Sequence, residues 1–209
     1  ALLSSPLRLA DLLRRLHELR VLEKIVPAMA HARCLLQFNE YHKYTVDEHC
    51  LRAVQSATEF QHDTGPLGEA YRGIRQKWTL HLALLLHDLG KGYAEDHSEV
   101  GLRLTEETAR HLNLPRPETE TLKFLVHKHL MMAHMAFRRD LNDDKVALDL
   151  ALEAGSLEVL QMLYVLTCAD LAAVGPHVLN NWKLDLLTQL YERARRQLAG
   201  DEVSVPAGS

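Results

Sequence analysis

Apolar residues along this chain recur at intervals of three and four, and no segment alternates with the period of two that a half-buried strand requires. Leu9, Leu12, Leu13, Leu16 and Leu19 form a first stripe, continued by Ile25 and Val26 as far as a break at Pro27. This predicts a helical lead-in. Thr45-Val-Asp-Glu48 reads as a capping box, in which Thr45 and Glu48 each satisfy the other's backbone N–H, opening a helix to about Gln61. Residues 63–73 hold three glycines and Pro66 and read as a loop. An apolar helix follows over Lys77 to Asp88, with Gly90 as its C-cap. Asp96 caps the next helix, to about Leu112; Pro115 and Pro117 break the chain, and Pro117 suits the first position of a helix through about His134. Asn142 or Asp143 opens a helix closed by Gly155, and Ser156 opens a strongly apolar one through Ala173, closed by Gly175-Pro176. Asn180 starts a final amphipathic helix to about Leu198. The pattern is all-α: a lead-in or connector over 1–42, a main helical domain over 43–200, and a polar, frayed tail over 201–209.

Composition narrows the function classes. With 209 residues and 47% apolar content, a sizeable core is available. The net charge of −4 and the lack of a Lys/Arg run argue against a DNA binder, though not against a nucleotide-sized substrate. Cys34, Cys50 and Cys168 lack metal-finger spacing and read as reduced, mostly buried thiols of a cytoplasmic protein. No apolar stretch approaches membrane-spanning length, so no membrane partner is expected. No signal peptide is visible, and the abrupt start at Ala1 suggests a segment of a longer chain.

The thirteen histidines are more than packing needs. His87-Asp88 ends the apolar run from Leu82, and an adjacent imidazole and carboxylate at a helix end can turn into one cavity and chelate a divalent metal. Asp88 is also the candidate catalytic carboxylate, since its two oxygens could bridge two ions. Asp170 interrupts an otherwise apolar helix, where a buried carboxylate is costly unless paired or metal-bound. His49 lies in the first turns of its helix, and His97 follows the Asp96 cap with Gly101 one turn on, which would let that helix approach closely and serve a second metal position. His127 and His129, two residues apart, cannot point the same way on a helix; His129 is the preferred ligand and His127 the reserve. Mixed His and Asp ligands suit one or two ions of Mn²⁺, Mg²⁺, Fe²⁺ or Zn²⁺ without choosing among them. Lys91 is a candidate catalytic and substrate-binding point charge for a phosphate oxygen, Arg138 and Arg139 candidate guanidinium contacts, and His42 a pocket-lining residue. Each has a bland alternative as a surface or packing group, and His17, His31, His62, His81, His111, His134 and His177 read as structural or surface.

The residues resemble the HD superfamily of metal-dependent phosphohydrolases, and more narrowly the uridylyl-removing HD domains of bacterial PII uridylyltransferase/uridylyl-removing enzymes. The stretches are Tyr41 to His49, Leu86 to Gly92, Asp96 to Gly101, His129 to Met132, Arg138 to Leu141, Leu166 to Asp170 and Asn181 to Lys183. The resemblance covers nearly the whole chain; the spacing His127-Lys-His129 departs from the family, where adjacent histidines are common. It implies an HD helical bundle and a metal-dependent phosphodiesterase that removes UMP from a tyrosine of the PII nitrogen-signalling protein, a nucleotide-type substrate. Ligands would be His49, His87, Asp88 and Asp170, with His97 and His129 completing a second position. No Gly-Ser loop with paired acidic ligands is present, so the transferase half is absent from this chain. Two alternatives stay open: a stand-alone HD phosphohydrolase of nucleotides or cyclic dinucleotides, and an inert nucleotide-sensing or interaction module.

Overall fold

The structure, a computed structural model, describes residues 2–4, 6–36 and 43–200. A 3-10 turn over Leu2–Ser4 leads into three short helices, α1 (Leu9–Glu18), α2 (Leu22–Ile25) and α3 (Met29–Ala32). There follow α4 (Val46–Glu59), a 3-10 turn over Phe60–His62, α5 (Pro66–Gly73), α6 (Lys77–Leu86), α7 (His97–His111) and α8 (Arg116–His127). The chain ends through α9 (Met131–Arg138), α10 (Asp144–Ala154), α11 (Leu157–Val174) and α12 (Asn181–Ala199). The described residues contain no strand, and the fold is all-α.

Helix α11 is the axis of the bundle, packed against α4, α5 and α12 and touching α6 and α8. Its position explains its composition. A helix covered on every side carries apolar residues all round, and Leu160, Leu163, Tyr164, Val165 and Leu166 are fully buried. By length and composition α11 could cross a membrane, which the unbroken apolar runs do not suggest; here its apolar surface is spent on neighbouring helices. The lead-in shares this core through Leu9, Leu13, Leu22, Val26, Met29 and Ala32, whereas Leu12 and Leu19 of the sequence stripe face solvent.

Most caps form where the sequence places them. Asp96 accepts from Ser98 and Glu99, Asp143 from Lys145, Ser156 from Val159 and Asn180 from Lys183. Gly155 turns left-handed at φ 67° to close α10. Four expectations fail. Thr45 makes no side-chain cap; its hydroxyl goes to Asp47, and Glu48 pairs with Arg52 at 2.8 Å and Arg14 at 3.5 Å. The supposed loop over 63–73 contains α5, because Gly68 is needed for contact rather than for a turn: a Cβ there would lie 2.0 Å from the Asp63 carbonyl oxygen. The helix expected to reach His134 stops at His127 and restarts at Met131. Gly90 is no left-handed cap either; Gly92 takes that conformation at φ 82°. Of the three thiols, Cys50 and Cys168 are buried and Cys34 is exposed.

One buried histidine makes stability depend on pH. His81 is completely covered; its Nδ1–H donates to the Leu3 carbonyl at 2.7 Å, and its Nε2 accepts from the Tyr71 hydroxyl at 3.0 Å. Burial pushes this imidazole down to about 4, so folding favours the neutral ring. The stabilisation is fully present above the unfolded value of about 6.5 and is lost as pH falls through about 4, a difference of roughly 3 kcal/mol. The urea midpoint is therefore expected to fall more steeply between pH 7.5 and 4.5 in the parent than in His81→Asn. Parallel curves would remove His81 from this role.

Candidate metal centre

Four segments deliver polar side chains to one point in the core. The first turn of α4 brings His49, the end of α6 brings His87 and the turn after it Asp88. The interior of α11 brings Asp170, and the turn between α8 and α9 brings His129. His49 Nε2 lies 3.2 Å from His87 Nε2, 3.0 Å from Asp170 Oδ1 and 3.4 Å from Asp88 Oδ2. His87 Nε2 lies 3.5 Å from Asp170 Oδ1 and 3.7 Å from Asp88 Oδ2. The other oxygen of Asp88 faces His129 Nε2 at 3.8 Å. His49, His87, Asp88 and His129 are at most 4% exposed, while the Asp170 side chain keeps 15% and marks the open side.

Backbone carbonyls set the rings. His87 Nδ1–H donates to Leu84 at 2.8 Å, and His129 Nδ1–H donates to Val126 at 2.7 Å. A carbonyl accepts only, so the lone pair of each neutral ring sits on Nε2, aimed inward. Two imidazole nitrogens 3.2 Å apart, ringed by carboxylate oxygens, need a hydrogen or a metal ion between them, since two facing lone pairs repel. The titration behaviour has the same cause. Burial opposes charge on His87, but Asp88 and Asp170 outweigh it and raise its pKa well above the usual range. Burial likewise works against ionised Asp88 and Asp170. His87 and Lys91 nonetheless hold Asp88 at about 2, and His49 with His87 holds Asp170 well below the ordinary carboxylate value. His129 is shifted down, first by burial and then by the charge on His87. Ligand atoms of His49, His87 and Asp170 all lie within 4.8 Å of one another. Nitrogen and carboxylate donors in this density fit a divalent ion.

The remaining sequence candidates fall outside this group. Lys91 Nζ pairs with Asp88 Oδ2 at 2.6 Å and is 28% exposed, so it stands at the rim. His97 opens α7 half-buried, and its imidazole is not among the groups that converge. Its backbone is what touches the site: a Cβ on Gly90 would lie 2.0 Å from the His97 carbonyl oxygen and 2.7 Å from Gly101 N. Close approach therefore depends on Gly90, while a Cβ on Gly101 would meet only Val126 at an ordinary 3.6 Å. Arg138 is exposed, and Arg139 turns to Asp149 at 3.5 Å. His127 ends α8 half-buried, outside the cluster. His42 lies outside the described residues. Sequence reasoning missed Cys50, a fully buried thiol against the His87 side chain and the Asp88 backbone N–H; adjacency to His49 is its only sequence signal.

Comparison with known proteins agrees with this geometry. A family model described as the HD domain matches residues 46–164, from the start of α4 into α11. Bifunctional uridylyltransferase/uridylyl-removing enzymes from Ruegeria pomeroyi, Azospirillum brasilense and Zymomonas mobilis are 39%, 41% and 38% identical to it. These alignments cover 89%, 90% and 91% of this chain and 21% of each relative, so the chain spans about a fifth of their length. With more than half of its residues matched by the family model and His87-Asp88 set in a buried group that could hold a metal ion, the chain belongs to the HD domain family of metal-dependent phosphohydrolases.

Proposed function

We propose that this domain is a phosphodiesterase that removes UMP from a uridylylated tyrosine of the PII signalling protein, acting as the uridylyl-removing part of a longer cytoplasmic enzyme. The observation that carries the reading is the meeting of His49, His87 and Asp170 around Asp88. The names of the three relatives support the substrate class. We assign His49, His87, Asp88 and Asp170 as ligands of a first divalent ion, and His129 with the outer oxygen of Asp88 as the place for a second. A divalent ion held there supplies an acidified water near neutral pH and charge on the phosphoryl oxygens.

The chain's own residues do the rest. His87 and His129 are locked by backbone carbonyls, so their Nε2 atoms need no reorganisation when the substrate arrives. Asp88 lies between both histidine groups and aligns them. Lys91, at the rim and already paired with Asp88, can share its ammonium with a non-bridging phosphoryl oxygen. The leaving tyrosine, with a pKa of about 10, needs little acid assistance. The net charge of −4 argues against a DNA partner and leaves room for a nucleotide-sized substrate.

The test is UMP release from uridylylated PII with Mn²⁺, run beside nucleoside monophosphates and cyclic dinucleotides. Release from PII alone is the expected result. Turnover of free nucleotides or cyclic dinucleotides without UMP release would point to a stand-alone phosphohydrolase, and nucleotide binding without any turnover to a sensing module.

A further inference from the structure

On the lead-in side of α4 lies a second buried polar group that hydrolysis does not use. His17 of α1 is 8% exposed and Asp47 of α4 is 5% exposed, and His17 Nε2 lies 2.9 Å from Asp47 Oδ2. The Cys34 backbone N–H donates to the same oxygen at 3.1 Å. Arg33 completes the chain: its Nη2 donates to the His17 carbonyl at 2.7 Å and faces His17 Nδ1 at 3.3 Å, while its Nε donates to Glu23 at 2.6 Å. A guanidinium only donates, so His17 Nδ1 is the acceptor, and Nε2–H donates to Asp47. Glu23, Arg33, His17 and Asp47 thereby tie α1, α2 and the exit of α3 to the second residue of α4.

Such a chain is a poor source of stability, since apolar residues of similar volume often do as well; what it specifies is one alignment. Residues two apart on a helix point about 200° apart around its axis. With Asp47 fixed toward the lead-in, His49 is turned toward α6 and α11, where its Nε2 meets His87 and Asp170. The N-terminus of α4 also lacks the side-chain cap that would otherwise set its first turn.

We propose that Asp47, clasped by His17 and the Cys34 amide with Arg33 behind them, is a positioning residue for His49: it sets the rotation of the first turn of α4. The metal readout of this inference rests on the assignment of His49 as a ligand; the readout on the His49 ring does not.

The test compares Asp47→Leu and Asp47→Asn in the whole chain. It reads Mn²⁺ affinity, the ring NMR signals of His49 in metal-free protein, and thermal unfolding. Asp47→Leu leaves the His17 and Cys34 donors unpaired and is expected to lower the unfolding temperature, to shift the His49 signals and to bind Mn²⁺ roughly 10–100-fold more weakly, the range seen when groups that orient a ligand are removed. Asp47→Asn keeps an oxygen for the His17 and Cys34 donors and is expected to stay within about threefold of the parent. A folded Asp47→Leu with parent His49 signals and parent affinity overturns the proposal. Should that variant fail to fold, Arg33→Met, at a side chain 22% exposed, is read the same way, and unchanged His49 signals there overturn it. A parent that binds no Mn²⁺ would remove the metal centre, and the His49 signals would still decide the positioning role.

Discussion

Asp88→Ala is expected to lower phosphodiester hydrolysis on the order of a thousandfold or more and to strip the domain of tightly bound metal, with its helical signal largely intact. The reason is geometric. One oxygen of Asp88 lies 3.4 Å and 3.7 Å from the inward nitrogens of His49 and His87, and the other lies 3.8 Å from that of His129. Loss of Asp88 leaves two imidazoles and Lys91 with less negative charge to balance them. A bound ion contributes several kcal/mol of transition-state stabilisation, at about 1.4 kcal/mol per factor of ten. Folding is expected to lose the pairing with His87 and Lys91 that holds this carboxylate at about 2, partly offset by relief of the repulsion from Asp170, without loss of the helices. Metal content by elemental analysis, circular dichroism and hydrolysis rate check the three parts together. A variant with full activity would remove Asp88 from the site.

Gly90→Ala is expected to cost about 3 kcal/mol or more of stability. Its Cβ would lie 2.0 Å from the His97 carbonyl oxygen, 3.0 Å from the His97 carbonyl carbon and 2.7 Å from Gly101 N. All three are backbone atoms, so no side chain can swing aside. Either α7 retreats or the turn carrying Asp88 and Lys91 moves, and in both cases metal affinity falls with stability. Gly101→Ala is the matched control. It meets only Val126 Cγ1 at 3.6 Å, and in the middle of a helix it is expected to be neutral or to gain up to about 1 kcal/mol. Urea unfolding of the pair decides the matter, and equal effects would contradict the assignment of close approach to Gly90.

The contrast between these glycines shows what could be read from the chain alone. Helices with polar caps and apolar stripes were legible, because Asp96, Asp143, Ser156 and Asn180 act within three or four residues of themselves. Glycines were misread because their use depends on distant backbone. Gly68 and Gly90 look like turn residues in sequence and serve as contact points against Asp63 and His97. The break between α8 and α9 carries neither glycine nor proline, so the segment 128–130 gave no local signal.

The same division runs through the site. Asp170 and Asp88 announce themselves as carboxylates in apolar helical surroundings, where burial must be compensated. Helical geometry separates the directions of His127 and His129 without choosing between them; in the structure His129 Nε2 lies 3.8 Å from Asp88 Oδ1. His17 and Asp47, thirty residues apart, offered no pattern; the first read as an ordinary histidine and the second as part of a capping box that does not form. His97 reads as a ligand from its helix start, and the structure adds what the sequence does not announce, the packing of its carbonyl against Gly90.

Anomalous diffraction from crystals grown with Mn²⁺ tests the central claim most directly. The expected result is a strong peak bonded at about 2.0–2.3 Å to His49 Nε2, His87 Nε2 and oxygens of Asp88 and Asp170. A strong peak elsewhere, or none, with those four side chains hydrogen-bonded only to one another, would contradict it.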